Sequence, residues 1–141
     1  MDTMSTIRPV TQQQQLRHVS LTVGLTAPAQ ARTEVRAAIL AWDLPVDESV
    51  AALLISELVT NAIRHEPGPT IVLDVSRACG RLRVDVHDTS DDLPTPMEVP
   101  ADGEAGRGLM LVATLSDEWG FYRTPAGKAV YFTLDFPASR S

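Results

Sequence analysis

Residues 56–65 read Ser56-Glu57-Leu58-Val59-Thr60-Asn61-Ala62-Ile63-Arg64-His65. With Ile55, the residues Leu58, Val59, Ala62 and Ile63 recur at helical spacing, so one side of the segment is built to pack. Glu57 and Asn61 stand four apart and project together from another face. A carboxylate beside a carboxamide can activate a hydroxyl and hold Mg2+, a hard cation that takes few ligands from protein and the rest from phosphate and water. The same spacing also describes an ordinary solvated helix face. Both ends of the helix are marked. Asp47 stands at the N-cap position, and Glu66-Pro67-Gly68-Pro69 stops the helix, which spans Glu48 to about His65.

Upstream, Leu16 to Leu25 alternates, with Val19, Leu21 and Val23 on one side, as a strand does. Pro28 opens a helix to about Trp42, with Ala31, Val35, Ala38 and Ile39 in register, and Leu44-Pro45 breaks it. Downstream, Thr70 to Ser76 and Arg81 to His87 read as two strands around a turn at Arg77 to Gly80. In the second, Leu82, Val84 and Val86 alternate with Arg81, Arg83, Asp85 and His87. Asp88 to about Ala105 lacks periodicity and is rich in Asp, Pro, Ser and Gly, and loops of that length usually carry function. Gly106-Arg107-Gly108 begins a third helix to about Asp117, with Leu109, Val112 and Leu115 inward. Strands near Trp119 to Arg123 and Ala129 to Phe136 close the chain, joined at Pro125-Ala126-Gly127. This order predicts an α+β fold, a two-layer α/β sandwich in which a mixed, mainly antiparallel sheet carries its helices on one face. Residues 1–15 are expected to be a disordered tail, and residues 16–141 a single domain.

Bulk properties narrow the function. The chain has 141 residues, 44% hydrophobic and 21% charged, enough for one domain with a substantial core. A net charge of −6 with no basic cluster argues against direct nucleic-acid binding. No apolar run approaches the ~20 residues of a membrane span. Cys79 is the only cysteine, which excludes an internal disulfide and fits a reducing, cytoplasmic setting. Lys128 is the only lysine, so any chemistry that needs one must use it. Gly127-Lys128-Ala129 is not a phosphate loop, because the earlier glycine and the magnesium-binding hydroxyl are both missing.

Two further places carry candidate chemistry. Strand parity puts Asp88 on the apolar side with Leu82, Val84 and Val86, where a carboxylate needs a partner. That partner is either a ligand amine, such as the one on adenine, or the turn at Thr89-Ser90. Gly103-Glu104-Ala105-Gly106-Arg107-Gly108 precedes a helix, where glycines and free amides suit a triphosphate, although glycines at helix starts are common. His18, His65 and His87 lack metal spacing, and His65 reads as a helix-end residue.

Together these pieces resemble the GHKL ATPases, whose nucleotide site is the Bergerat fold, and especially their short anti-sigma-factor serine kinases. The likeness covers residues 17 to 137. Ser56 to His65 is similar to the family's asparagine box, and Gly106-Arg107-Gly108-Leu109 to its second glycine motif. Trp119-Gly120 and Gly127-Lys128-Ala129-Val130-Tyr131-Phe132 match the short kinases. The resemblance implies Glu57 as general base and Asn61 as the Mg2+ ligand. It implies nucleotide contacts from Asn61, His65, Asp88, Gly106, Arg107, Gly108, Leu109 and Thr133, with Asp88 reading the adenine amine. One departure stands out. The family's Asp-x-Gly-x-Gly is here Asp88-Thr89-Ser90-Asp91-Asp92, which bears on ATP affinity and not on the fold.

The expected activity is transfer of the ATP γ-phosphate to Ser or Thr on a STAS-type anti-anti-sigma partner. The alternative is a non-catalytic module that sequesters a sigma factor or another regulator. Homodimer formation is expected from the likeness alone.

Overall fold

The computed structural model describes residues 14–65, 68–90 and 104–137, with the side chains of 65 and 104–107 excepted. Residues 1–13 of the expected tail and most of the Asp88 to Ala105 loop, Asp91 and Asp92 included, lie outside these residues, while Gln15, read as the end of the tail, already belongs to a strand.

The chain runs β1 (Gln15–Thr22), α1 (Ala27–Ala41), α2 (Glu48–His65), β2 (Thr70–Ala78), β3 (Arg81–Asp88), α3 (Glu104–Leu115), β4 (Glu118–Arg123) and β5 (Lys128–Asp135). The five strands form one sheet in the order β1-β2-β3-β5-β4, and every pairing is antiparallel. The α+β sandwich read from the sequence is therefore the observed class.

Alternation makes the sheet two-sided. Leu73, Val75, Leu82, Val84, Val86, Val130 and Phe132 are buried in one core with Val35, Leu54, Ile55, Leu58, Val59 and Val112 from the helices. Helix α1 turns mostly small residues inward, Ala27, Ala31, Val35, Ala38 and Ile39. It ends in a Schellman motif: the Leu44 amide donates to the Ile39 carbonyl at 3.0 Å and the Asp43 amide to that of Leu40 at 3.2 Å. Asp47 caps α2 as its position suggests, its Oδ1 accepting from the Ser49 amide at 2.9 Å and the Val50 amide at 3.3 Å. Two expectations are corrected. Leu25 is fully exposed because β1 stops at Thr22, and Leu115 is 39% exposed because it is the last residue of α3, at the rim of the packed layer.

The outer face of the sheet is polar and tied to itself. Arg83 makes two bonds to Asp85, at 2.8 and 2.9 Å, and stacks 4.0 Å from the Tyr131 ring. Tyr122 donates to Asp85 at 2.8 Å, Tyr131 to Glu118 at 2.9 Å, and Arg81 bridges Glu118 and Asp135. Farther along, Asp74 lies between His18 and His87.

Burial first, then the bond to Asp85, pushes the Tyr122 hydroxyl up to about 12 from its ordinary 10.0. Tyr131 is raised by burial and Glu118. A group raised in the folded state stabilises below its unfolded value and loses that contribution as pH rises through the folded value. Stability should therefore fall between pH 10 and about 12. In an ultraviolet titration of the native chain, both tyrosines should ionise above the ordinary value, and Tyr122→Phe should make the alkaline loss of stability shallower.

The β2–β3 hairpin turns at Cys79 and Gly80, with φ of 49° and 78°. Two positive values mark the two-residue turn that matches strand twist. Cysteine is unusual there and asparagine is favoured. Cys79→Asn should stabilise the chain by about 1 kcal/mol, read as a higher melting temperature.

Candidate nucleotide site

Helix α2 sets the first part of the site. Its apolar stripe presses Leu58, Val59 and Ala62 into the core, which leaves Glu57 and Asn61 half-buried. Ser56 does a different job from its neighbour. Its hydroxyl donates to the Ala52 carbonyl and accepts from Arg32 of α1 at 2.9 Å, joining the two helices. Helix α3 packs against α2. At Gly108 the approach is so close that a Cβ would stand 2.6 Å from Glu57 Oε1. The structure thus brings the glycine motif against the acid of the asparagine box, one helical turn from Asn61. Such a cradle suits a phosphate chain, since a helix N-terminus offers free amides there. Among the described residues no cluster of three or more His, Cys, Asp or Glu is placed to hold a metal. Asn61 would therefore act with phosphate and water oxygens.

The second part of the site lies at the end of β3. Thr70 opens β2 five residues after His65 ends α2, and the register Val72↔His87 brings the start of β2 beside the end of β3. Asp88 therefore sits at the same end of the molecule as the C-terminus of α2. It faces inward, as parity indicated, and is buried. Its partner is Lys128, directly opposite on β5. The ammonium donates to Oδ1 at 2.9 Å and Oδ2 at 2.8 Å, and each side chain is 1% exposed. The Ser90 amide adds a bond to Oδ1 at 2.9 Å. Gly127 seals the top: a Cβ there would lie 2.3 Å from the Asp88 carbonyl oxygen and 2.5 Å from Thr89 Cα. A groove of about 540 Å³ reaches Asp88 and Thr89 from the outer side, lined also by Val72, Asp74, His87 and Pro125. Neither Glu57 nor Asn61 lines it.

A family model for the histidine kinase-like ATPase domain matches residues 21–134. The chain belongs to the histidine kinase-like ATPase family. No curated protein sequence matches it significantly. Its fold is similar to that of the RsbU and RsbW domains of Rv1364c from Mycobacterium tuberculosis, with a TM-score of 0.64 and 20% identity. That likeness covers 88% of this chain and 34% of that one, so this chain spans about a third of the matched structure. A histidine kinase domain from a blue-light-activated kinase of Erythrobacter litoralis aligns with a TM-score of 0.48 and 22% identity, over 82% of this chain and 65% of that one.

The other residues implied by the GHKL likeness fall as follows. Leu109 of this ATPase domain turns into the core. Gly106 and Arg107 lie in the first turn of α3 and His65 ends α2, with their side chains outside the described residues. Thr133 pairs with Arg83 and Glu118 on the outer face, opposite in parity to Lys128 and five residues from it. A β-strand presents alternate residues to opposite faces, and the odd-numbered residues of β5 point away from the helices. Among the described residues the buried Thr133 hydroxyl has no hydrogen-bond partner. Lys128 is the residue that sequence reasoning passed over. The available signal was its position: it opens the apolar row Val130, Phe132, Leu134 as Asp88 closes Leu82, Val84, Val86.

Removing one partner of a sealed ion pair strands the other charge. Lys128→Met should cost about 3–5 kcal/mol in chemical denaturation, whereas Asp88→Leu combined with Lys128→Met should recover most of it.

Proposed function

We propose that this ATPase-family domain is an anti-sigma regulatory factor that binds Mg-ATP and phosphorylates a serine or threonine on a STAS-type anti-anti-sigma partner. The observation that carries the reading is Gly108 lying against Glu57, within a turn of Asn61. ATP supplies the transferable phosphoryl group and Mg2+ neutralises its charge. Phosphoryl transfer asks little of a protein beyond positioning and charge stabilisation, so these few groups suffice. Glu57 accepts the proton of the partner hydroxyl as its oxygen bonds to the γ-phosphorus, and ADP leaves with the electrons of the broken P–O bond. Asn61 would hold the cation through its amide oxygen. Gly108 keeps α3 close enough for its amides to face phosphate. The fold likeness to a chain carrying an RsbW domain beside an RsbU domain supports a regulatory setting. Among the described residues no helix is long and apolar enough to cross a membrane.

Transfer of labelled phosphate from Mg-ATP to a cognate partner tests this reading. Glu57→Gln should reduce transfer by about 10²-fold or more while leaving Mg-ATP binding within a few-fold. Asn61→Ala should abolish the magnesium-dependent part of binding. Gly108→Ala should fold normally, because only the end of a flexible carboxylate must move, yet it should depress transfer by displacing Glu57. Absence of transfer by the wild type, or full transfer by Glu57→Gln, removes the kinase claim.

A second reading, a module that sequesters a sigma factor without catalysis, draws support from the occupied carboxylate of Asp88. Calorimetric titration separates the two: Mg-ATP should bind under the first reading and give no heat under the second.

A further inference from the structure

Asp88 holds the position from which a carboxylate could receive the exocyclic amine of a purine, but both its oxygens already receive a donor. The Lys128 ammonium contacts Oδ1 and Oδ2, and Ser90 supplies a third bond. A charged donor forms stronger hydrogen bonds than a neutral amine, so the lysine holds these oxygens against a base. Leaving is also obstructed. Displaced, the ammonium would stand without a partner beside Val86 and Val130, the next residues of the same buried rows, and an unpaired buried charge is strongly disfavoured. The hairpin leading into β5 has no slack either, since Gly127 is in backbone contact with Asp88 and Thr89. The pair is sealed to 1% exposure on each side.

We propose that Lys128 fills the place of a purine amine on Asp88, so that Asp88 ties β3 to β5 and the chain holds a nucleotide through its phosphates without selecting the group at position 6 of the base. This rests on the reading of the chain as a nucleotide-binding protein. The chemical class of ligand is a purine triphosphate with either an amine or an oxygen at that position.

The test compares Mg-ATP with the magnesium complex of inosine triphosphate, which carries an oxygen where adenine has its amine, by calorimetry on the full chain. The two should bind within about threefold of each other, because a site that makes no bond to the amine loses nothing when it is replaced. The double variant Asp88→Leu/Lys128→Met serves as the control for any preference between the two nucleotides. Lys128 is the only lysine, so its sealing can be read directly by acetylation and peptide mass. It should stay unlabelled in the native chain with and without Mg-ATP, and react once the chain is unfolded. A preference for ATP of about tenfold or more that disappears in the double variant overturns the proposal. So does labelling of Lys128 when Mg-ATP is added. If neither nucleotide binds the wild type, it is the proposed function that fails. Lys128 protection then still decides this pairing: labelling at the rate of a free amine in the native chain overturns it, and protection upholds it.

Discussion

The inner faces of β3 and β5 meet as Leu82 against Leu134, Val84 against Phe132 and Val86 against Val130, and the ladder ends with Asp88 against Lys128. This ladder sits in the middle of the sheet, with β2 and β1 on one side and β4 on the other. Its register governs the rest. A slip of one residue would turn the apolar row outward and the polar row of Arg83, Asp85 and His87 toward the helices. It would also part a carboxylate from an ammonium that have no access to water. Apolar rows tolerate some misalignment, whereas a sealed charge pair does not, so the pair restricts the ladder to one alignment. The strand order follows. With β5 fixed against β3, the segment between them must carry α3 out over the helical layer and return through the edge strand β4.

That same path brings α3 onto α2. The glycine at position 108 permits contact at the Glu57 carboxylate, where any larger residue would push the acid aside. Glu57 is thus held from two directions, by its own helix beneath and by α3 in front. Ser56, next in sequence, turns toward α1 and accepts a bond from Arg32. Two adjacent polar residues of one motif therefore serve different ends, one set against Gly108 of α3 and one joining α2 to α1. The family's asparagine box is in this chain a structural joint as well as a chemical one.

Much of this was legible in the sequence, and the reasons are particular. The bounds of α2 could be read because Asp47 caps its start and the Pro67-Gly68-Pro69 sequence follows its end. The inward aim of Asp88 could be read because strand parity propagates from Leu82, Val84 and Val86. Its partner could not, because that depends on β3 pairing with β5, two residues forty positions apart being brought opposite by strand order and not by local pattern. Thr133 shows the same gap from the other side. Its place near the chain end matches a family position, but whether it faces the helices depends on the parity of β5, which the phase of Val130 and Phe132 fixes. Leu115 fits the helical period of α3, yet the helix terminates there and the layer above it has run out.

The bare side of the sheet has a consequence of its own. Among the described residues half of the sheet has no helical cover, and exposed sheet faces that are apolar tend to associate. Here Arg81 and Arg83 are interleaved with Asp85, Glu118 and Asp135, and each guanidinium already spends its donors on neighbouring carboxylates. Two such surfaces laid together would have to strip water from five charged groups and would gain no bonds that they do not already have. The uncovered face is thus kept wet by its own mosaic of charge, which favours colloidal solubility at the one place where the fold supplies no third layer.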